Sequence, residues 1–278
     1  MNPTAALILL PFLGFFLGGY GAAVGLGSGF LYVVALLLLF PDDPPQAVAA
    51  TSLVAVAVTA MSGYLAYHRL HRVDYHAGIT LAVAGIPGAI AGAFVTGVMG
   101  RRVFESVFAV LLIVMAIYMV LAMKGRRVQG NNPAPDAPPR SGMRALTDNR
   151  NLTYVYQFHR TRAVVAGFLA PFFGTMVGVG GGVLLVPALV TFVGLPAQIA
   201  MATSTFAVAF NAVAGAATQT AHVGLATIWL RALLLGASGV VGAQVGARLA
   251  SRVSSRVLLR LLAVMMVAAA ARLLVAAF

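Results

Sequence analysis

Two glycine-rich clusters interrupt long apolar runs at corresponding places in the two halves of the chain. They consist of Gly25, Gly27, Ser28 and Gly29 in the first half, and of Gly178, Gly180, Gly181 and Gly182 in the second. Glycine lets backbone N–H groups converge where a helix begins, and the positive end of the helix dipole then faces a bound anion. We therefore predict that both clusters bind an anionic substrate. Close helix packing is the alternative, since Gly21 and Gly25, like Gly174 and Gly178, are four residues apart.

Polar side chains follow each cluster inside the next apolar segment. They are Thr51 and Ser52 in the first half, and Thr203, Ser204 and, two turns deeper, Asn211 in the second. Hydroxyls at such places donate either to a bound oxyanion or back to a carbonyl one turn earlier, and the sequence leaves both alternatives open. An amide in an apolar helix needs a partner, so Asn211 binds either the substrate or a neighbouring helix. Gln219, Thr218 and Gln244 are weaker candidates.

The ionisable residues argue against catalysis, a cofactor or a metal. All acidic residues stand in predicted loops or at segment ends: Asp42, Asp43, Asp74, Glu105, Asp136 and Asp148. We therefore expect no carboxylate proton relay of the usual kind within the membrane. The chain has no cysteine and no P-loop pattern, which excludes thiolate chemistry, disulfides and ATP hydrolysis by the chain itself. His68, His71 and His76 are expected in a solvated basic loop, so we predict neither a metal nor a cofactor.

The composition is that of an integral membrane protein. Of the 278 residues, 61% are hydrophobic and 9% are charged, against about 25% charged residues in a soluble domain. The mean hydropathy is +0.96. The apolar runs are continuous rather than alternating, and a helical span needs roughly 20 residues, so the sequence predicts an all-α membrane protein rather than a β-barrel.

The chain contains an internal repeat, with one unit in each half. Gly14 corresponds to Gly167, Thr51 to Thr203 and His71 to His222, at a spacing that drifts only slightly along the chain. Each half has a first apolar segment that ends at its glycines, a segment too short to cross the membrane, and three full-length segments. The expected segments are 5–24, 30–40, 46–67, 77–99 and 104–123, then 163–177, 183–193, 197–219, 227–248 and 255–277.

These segments define two membrane repeats, 1–123 and 163–278, and a basic linker, 124–162. The first two segments of each repeat are predicted to form a broken or re-entrant helical hairpin. Either way of counting gives an odd number of crossings, so the repeats are expected to have inverted topology. The excess of Lys and Arg in the linker predicts a cytoplasmic linker and external termini, because basic loops stay inside.

Three motifs in the second half resemble those of the sulfite exporter TauE/SafE family of bacterial membrane proteins. They are GVGGGVLLVP at 178–187, ATS at 202–204 and GVVGA at 239–243. The first half departs from the pattern, because Ser28 replaces a glycine and Val34 stands where the proline would be. The resemblance covers both repeats. It implies export of small sulfur-containing anions, such as sulfite or organosulfonates, across the inner membrane.

The residues and the resemblance together predict a secondary transporter that works by alternating access. A passive anion channel on the same scaffold is one alternative. A membrane-embedded enzyme and a structural subunit are others, although the first lacks paired buried acids and the second leaves the matched clusters unexplained. The expected partners are a small anionic substrate, membrane lipid and a second copy in a homodimer, with no nucleic acid.

Overall fold

The helices of the computed structural model lie where the apolar segments predict them. The structure describes residues 3–24, 27–125, 143–149, 151–250, 264, 266–268 and 270–271. Gly25 and most of the predicted segment 255–277 lie outside these residues. The first repeat contains α1 (Pro3–Val24), α2 (Gly29–Leu39), α3 (Pro45–Arg69), α4 (Tyr75–Gly97) and α5 (Arg101–Gly125). The second contains α6 (Arg160–Met176), α7 (Gly182–Ala188) with a π-helical turn over Leu189–Val193, α8 (Ala197–Val223) and α9 (Leu225–Ala250).

Helix length and composition confirm a multi-pass membrane protein. Among the described residues, five helices are long and apolar enough to cross a membrane, namely α3, α4, α8 and most of α1 and α9. Helix α2 has 11 residues and α7 has 7. At about 1.5 Å per residue, both are too short to cross a hydrocarbon core of about 30 Å.

The two repeats interlock through equivalent contacts. Helices α3 and α8, which correspond to each other in the duplication, pack together at the centre. Helix α1 of the first repeat packs along α9 of the second, and α6 of the second repeat packs along α4 of the first. Each repeat therefore contributes helices to both sides of the bundle.

Helices α3 and α8 run in opposite directions. A methyl group placed on Gly63, late in α3, would lie 3.3 Å from Cγ2 of Thr205, early in α8. One placed on Gly215, late in α8, would lie 3.5 Å from Cδ1 of Leu53, early in α3. By this register Val58 and Phe210, which are matched positions of the two repeats, mark the middle of the crossing.

A β-hairpin in the linker is the main departure from the predicted fold. Strands β1 (Met143–Thr147) and β2 (Thr153–Gln157) pair antiparallel within the segment that the sequence predicts as a polar connection. Because each strand is only 5 residues long and stands beside a proline-rich stretch, its alternation is a weak signal against the helical pattern around it. The described part of the chain is therefore helical apart from this hairpin.

Charged groups that the sequence predicts to be solvated hold the hairpin against the helices. The Arg72 guanidinium pairs with Asp148 at 2.9 Å, and the two side chains are 7% and 0% exposed. The backbone N–H of Asn149 donates to the Leu70 carbonyl at 3.2 Å. The part of the loop from Arg72 to Asp74 is thus buried, and the expectation of a solvated loop is wrong at Arg72. His68, His71 and His76 are exposed, as expected.

Asp74 is also buried, although it stands at a segment end as predicted. Its carboxylate caps α4 by accepting from the backbone N–H groups of His76 and Ala77 at 3.0 and 3.1 Å. It also accepts from the Tyr156 hydroxyl of β2 at 2.6 Å and from Arg144 of β1 at 3.3 Å. Asp74, Glu105 and Asp148 are at most 7% exposed. These three acids are therefore buried, contrary to the expectation that they are peripheral. They do stand in loops or near segment ends, as the sequence predicts.

Candidate functional site

The two glycine clusters touch each other. A Cβ atom on Gly29, the first residue of α2, would lie 2.8 Å from the Cα atom of Val179 in the second cluster. One on Gly178 would lie 2.7 Å from the Cα atom of Ala49 in α3. The absence of side chains therefore lets backbone approach backbone, which is the close packing that the sequence leaves open as an alternative.

Both clusters lie near the middle of the α3/α8 crossing. The Cβ position of Gly27 is 3.7 Å from a methyl group of Val208, and that of Gly180 is 3.6 Å from Cβ of Ala212. Gly180 also faces Val56 of α3, at 3.1 Å. Since Val58 and Phe210 mark the centre of the crossing, the two predicted halves of the site come together at mid-depth of the bundle through Gly27 and Gly180. Gly178 lies further along, beside Ala49.

The backbone of the clusters requires glycine at several positions. Gly27, Gly178, Gly180 and Gly181 have φ values of 75, 79, 78 and 88°, a region that L-amino acids rarely occupy. At Gly181 a Cβ atom would also lie 2.9 Å from the Cα atom of Pro171 in α6. Gly182 begins α7 with its neighbour Gly181 in the left-handed conformation. Any side chain at Gly181 therefore strains the chain break before α7.

Two of the predicted hydroxyl ligands are bonded within their own helix. The Thr51 hydroxyl donates to the Ala47 carbonyl at 2.7 Å, and the Ser204 hydroxyl donates to the Met201 carbonyl at 3.1 Å. These are the back-bonds that the sequence allows as the alternative. In this conformation the hydroxyl protons of Thr51 and Ser204 point to helix carbonyls rather than to a ligand.

The other two hydroxyls tie separate elements together. The Ser52 hydroxyl donates to the Gly29 carbonyl at 3.2 Å and so fixes the start of α2 against α3. The Thr203 hydroxyl accepts from the backbone N–H of Asp74 at 3.1 Å. Thr203 therefore lies at the hairpin end of α8, two turns from Asn211 and away from the glycine clusters. These two residues position the elements around the site.

A small group of buried polar atoms has no hydrogen-bond partner among the described residues. These atoms are Ser28 Oγ, Thr175 Oγ1 and both side-chain amide atoms of Asn211 and Gln219. Ser28 is 1% exposed and the other three are 0% exposed. Leaving a buried donor or acceptor unpaired costs about 1–3 kcal/mol. Such a cost at four buried residues is expected where a bound molecule or water supplies the missing partners.

Asn211 and Ser28 are the predicted site residues in this group. Asn211 lies beside Gly85 of α4, where a Cβ atom would meet its amide nitrogen and oxygen. The interhelical hydrogen bond expected as its alternative role is not formed with any described residue. Ser28 precedes α2 as its N-cap residue, yet its side chain makes no capping hydrogen bond. The Asn211 amide therefore has no partner among the described residues, whereas the Ser28 hydroxyl has the Tyr32 hydroxyl as a neighbour.

Thr175 is the residue that sequence reasoning missed, and Gln219 is one that it ranked low. Thr175 ends α6 just before the second cluster, where a threonine in an apolar helix reads as an ordinary back-bonding residue. A methyl group on Gly215 would lie 3.2 Å from Thr175 Oγ1. Thr175 contacts Gly215 from α6, and Gln219 lies one turn after Gly215 in α8, so only the packed helices bring the two residues to notice.

The surroundings of the clusters are electrically neutral. Helices α2, α7 and α8 contain no Asp, Glu, Lys or Arg. Among the residues that the structure describes, charged groups stand at the bundle ends, with Asp74 and Arg144 at the hairpin end. At the opposite end Arg231 pairs with Asp43, and its guanidinium carbon lies 3.8 Å from the centre of the Phe40 ring. An anion at the clusters would therefore be held by neutral hydrogen-bond donors.

Comparison with known proteins agrees with this architecture. Residues 10–273 match the family described as sulfite exporter TauE/SafE. The chain belongs to this family. The match spans both repeats of the TauE/SafE protein and the linker between them. It also includes both glycine clusters and the helices that surround them.

Relatives of this TauE/SafE protein carry the names of transporters. It is 29% identical over 252 residues to the probable membrane transporter protein YunE of Bacillus subtilis, covering 86% of this chain and 88% of the relative. It is 23% identical over 218 residues to the probable membrane transporter protein MJ0441 of Methanocaldococcus jannaschii, covering 75% and 72% of the two chains. No solved structure matches the chain. The protein is therefore a membrane transporter of the TauE/SafE family.

Proposed function

We propose that the protein is a secondary transporter that exports small sulfur-containing anions, sulfite or organosulfonates, across the bacterial inner membrane by alternating access. One observation carries the proposal. The two glycine clusters meet at mid-depth of the bundle, in a region where buried polar side chains have no partner among the described residues. The description of the family supplies the class of anion.

Inverted repeats are part of this proposal. Matched helices α3 and α8 cross in opposite directions, as the pairs Gly63 with Thr205 and Gly215 with Leu53 indicate. In transporters built from inverted repeats, the substrate site lies near the membrane midplane where the repeats meet, often beside interrupted helices. The chain breaks at the two glycine clusters have this arrangement.

The substrate site is proposed to consist of the glycine clusters, Ser28 and Asn211. An anion that loses its water at mid-depth needs replacement donors. The Asn211 amide, which has no partner among the described residues, and the Ser28 hydroxyl are proposed to supply them. The start of α2 adds the positive end of an 11-residue helix. Thr51, Ser52, Thr203 and Ser204 are assigned to positioning, because they are engaged in the bonds described above.

The proposed orientation places the hairpin in the cytoplasm and the loop after α4 outside. The basic linker and the α3–α4 loop meet at one end, which suits the inner face. Arg101, one of the basic residues at the other end, pairs with Glu105 at 2.7 Å and donates to the Asp43 carbonyl at 2.8 Å. Asp43 itself pairs with Arg231 at the same end.

Single cysteines test this orientation, because the natural chain has none. Val98 is 86% exposed after α4, and Thr147 is exposed at the end of β1. An impermeant thiol reagent added outside intact cells is expected to label Val98→Cys and to leave Thr147→Cys unlabelled until the membrane is opened. Labelling of Thr147→Cys from outside would reject the proposed orientation.

Transport itself is tested with purified protein in liposomes. Counterflow of sulfite or methanesulfonate, with saturation, is expected for a carrier. Unsaturated flux accompanied by ionic current would indicate an anion channel instead, and the absence of any flux of either anion would reject the proposal. A covalent change in the substrate would indicate an enzyme.

Glycine substitutions separate the proposed site from general packing. Gly181→Leu is expected to abolish transport, because the side chain meets Pro171 and the backbone has a φ of 88°. Gly97→Leu is the control, since the Cβ position there has no neighbour within 4 Å. Asn211→Leu is the milder variant, expected to keep the fold and to weaken binding of methanesulfonate by roughly tenfold, the value of one hydrogen bond to a charged ligand. Wild-type affinity in folded Asn211→Leu would move the site elsewhere.

A further inference from the structure

Gln219 faces the glycine clusters from the α8 side. Val208 and Ala212 of α8 contact the two clusters. Gln219 lies three turns after Val208 and two turns after Ala212. At 3.6 residues per turn, the Gln219 side chain leaves the helix within about 20° of the direction of each of these two side chains. Gln219 is 0% exposed, and neither its amide nitrogen nor its amide oxygen has a partner in the described chain.

The register of the helices sets Gln219 at the level of Gly178. Gly215 of α8 lies opposite Leu53 of α3, and the two helices are antiparallel. One turn further along α8 is Gln219, and one turn back along α3 is Ala49. The Cβ position of Gly178 lies 3.0 Å from Cβ of Ala49. Gln219 and the beginning of the second cluster therefore share one level of the bundle.

Thr175 completes a polar group at this level. Its Oγ1 atom lies 3.2 Å from the Cβ position of Gly215, one turn before Gln219, and its side chain is completely buried. This hydroxyl is also unpartnered among the described residues. Thr175 thus packs directly against the backbone of Gly215, where a Cβ atom would lie 2.5 Å from its methyl group, and Gln219 follows one turn later in α8.

The matched positions of the first repeat are filled and satisfied. By the spacing of the duplication, Gln219 corresponds to Tyr67 and Thr175 to Ala22. The Tyr67 hydroxyl donates to the Ala22 carbonyl at 2.8 Å, and the Tyr67 side chain is buried. One repeat therefore closes this space with a bonded aromatic ring, whereas the other leaves two polar side chains without partners.

We infer that Gln219 and Thr175 contact the substrate, and that they select singly charged oxyanions over doubly charged ones. This inference rests on the proposed function and adds to it a second group of substrate-binding residues. These residues lie between the middle of the bundle and the end opposite the hairpin. The Gln219 amide and the Thr175 hydroxyl each donate to an oxygen of a sulfonate or hydrogen sulfite ion.

The selectivity follows from the absence of cations along the two described helices that carry these groups. Helix α8 has no Lys or Arg, and in α6 the two arginines stand in the first turn, at the other end of the helix from Thr175. Neutral donors stabilise a buried single charge, but a second buried charge without a counter-ion carries a much larger desolvation penalty. A sulfonate keeps one charge at neutral pH, whereas sulfate keeps two.

Two glutamine variants test whether Gln219 serves the ligand or the fold. Gln219→Met is expected to lower methanesulfonate affinity at least tenfold and to leave the thermal unfolding midpoint equal or higher, because no bond within the described chain is lost. Gln244→Met is the matched control. The Gln244 amide donates to the Ser62 carbonyl and hydroxyl at 2.8 and 3.0 Å, so this variant is expected to lower the midpoint and keep wild-type affinity.

Thr175→Val and Thr218→Val form a second matched pair. The Thr175 hydroxyl is unpartnered, whereas the Thr218 hydroxyl donates to the Ala214 carbonyl at 3.0 Å. Only Thr175→Val is expected to weaken methanesulfonate binding. Gln219→Glu is expected to abolish binding, since it places a negative charge beside the anion.

The outcomes distinguish this inference from the proposed function. If wild-type protein binds methanesulfonate and Gln219→Met and Thr175→Val bind it equally well, the inference is wrong and the proposed function stands. A lowered unfolding midpoint in Gln219→Met with unchanged affinity assigns the amide to the fold and overturns the inference. Equal wild-type affinity for sulfate and methanesulfonate overturns the charge selectivity. If the wild type binds no oxyanion, the proposed function fails and the inference with it.

Discussion

The two ends of the α3/α8 pair have matched backbones and different side chains. At the hairpin end, Tyr67 fills the space and bonds to the Ala22 carbonyl. The Arg72–Asp148 ion pair and the β-hairpin then cover that end. At the opposite end the matched positions hold Gln219 and Thr175, whose polar atoms are unpartnered in the described chain.

The difference shows how one duplicated unit provides two unlike ends. The fold needs only the helices and the glycines, which both repeats have. The two ends then differ in that one has Tyr67 bonded to Ala22, and the other has Gln219 and Thr175, whose polar side-chain atoms have no partner among the described residues. Stability is therefore concentrated at the hairpin end and unmet hydrogen-bonding capacity at the other.

The largest expected effect comes from breaking the buried ion pair. Arg72→Met leaves the Asp148 carboxylate buried without its cation, and loss of one partner of such a pair costs about 3–5 kcal/mol. The thermal unfolding midpoint of purified protein should fall sharply. The double variant Arg72→Met/Asp148→Leu is expected to recover most of the loss. A single variant as stable as wild type would show that the hairpin does not seal this end.

The Tyr156 hydroxyl is expected to rank next. Tyr156→Phe removes its 2.6 Å hydrogen bond to Asp74, and a hydrogen bond to a charged group contributes about 1.5–3 kcal/mol. Thr147→Val is the control in the same hairpin, because the Thr147–Thr153 bond is exposed. Equal unfolding midpoints for these two variants would contradict a sealing role for Asp74.

A smaller effect is expected inside the closed end. Tyr67→Phe deprives the buried Ala22 carbonyl of its donor, at a cost of about 1 kcal/mol. It should leave methanesulfonate affinity unchanged, in contrast to Gln219→Met. A loss of affinity in Tyr67→Phe would mean that the two ends are not functionally distinct. Calorimetry of binding and thermal unfolding on the same sample decide this.

The smallest effect is a dependence on alkaline pH. Burial, and then the hydrogen bond to Asp74, raise the pKa of Tyr156 well above its usual value of 10.0. Because the folded protein holds this proton more tightly than the unfolded chain, the contribution is complete below pH 10 and falls as pH rises beyond it. By about pH 10.5 the free energy of unfolding of the wild type should have fallen by about 0.8 kcal/mol more than that of Tyr156→Phe. Parallel pH curves for the two proteins would refute this.

Much of the architecture is predictable from the sequence, because bilayer thickness sets helix length and duplication sets the order of elements. The predicted segments correspond closely to α1–α9, and the two glycine clusters do meet. The hairpin was not predictable in the same way. Its strands, β1 and β2, are stabilised by partners distant in sequence, such as Asp74 and Leu70.

The side chains of the site were less predictable than the backbone. Thr51 and Thr203 look alike in sequence, but one donates within its own helix and the other accepts from the Asp74 backbone. Which bond a hydroxyl forms depends on its rotamer and on the helix beside it. Thr175 becomes a candidate site residue only because α6 packs next to Gly215 of α8.

The hairpin also imposes an order on synthesis. Its first-repeat partners, Asp74 and Arg72, have left the ribosome before β1 and β2 are made. A second-repeat partner, Gln198, which bonds to Tyr154 of β2, is made only afterwards. Docking of the hairpin can therefore begin on the first repeat alone, and it is completed only when α8 enters the membrane. The connection between the repeats thus links the first repeat to the start of the second before α9 is made.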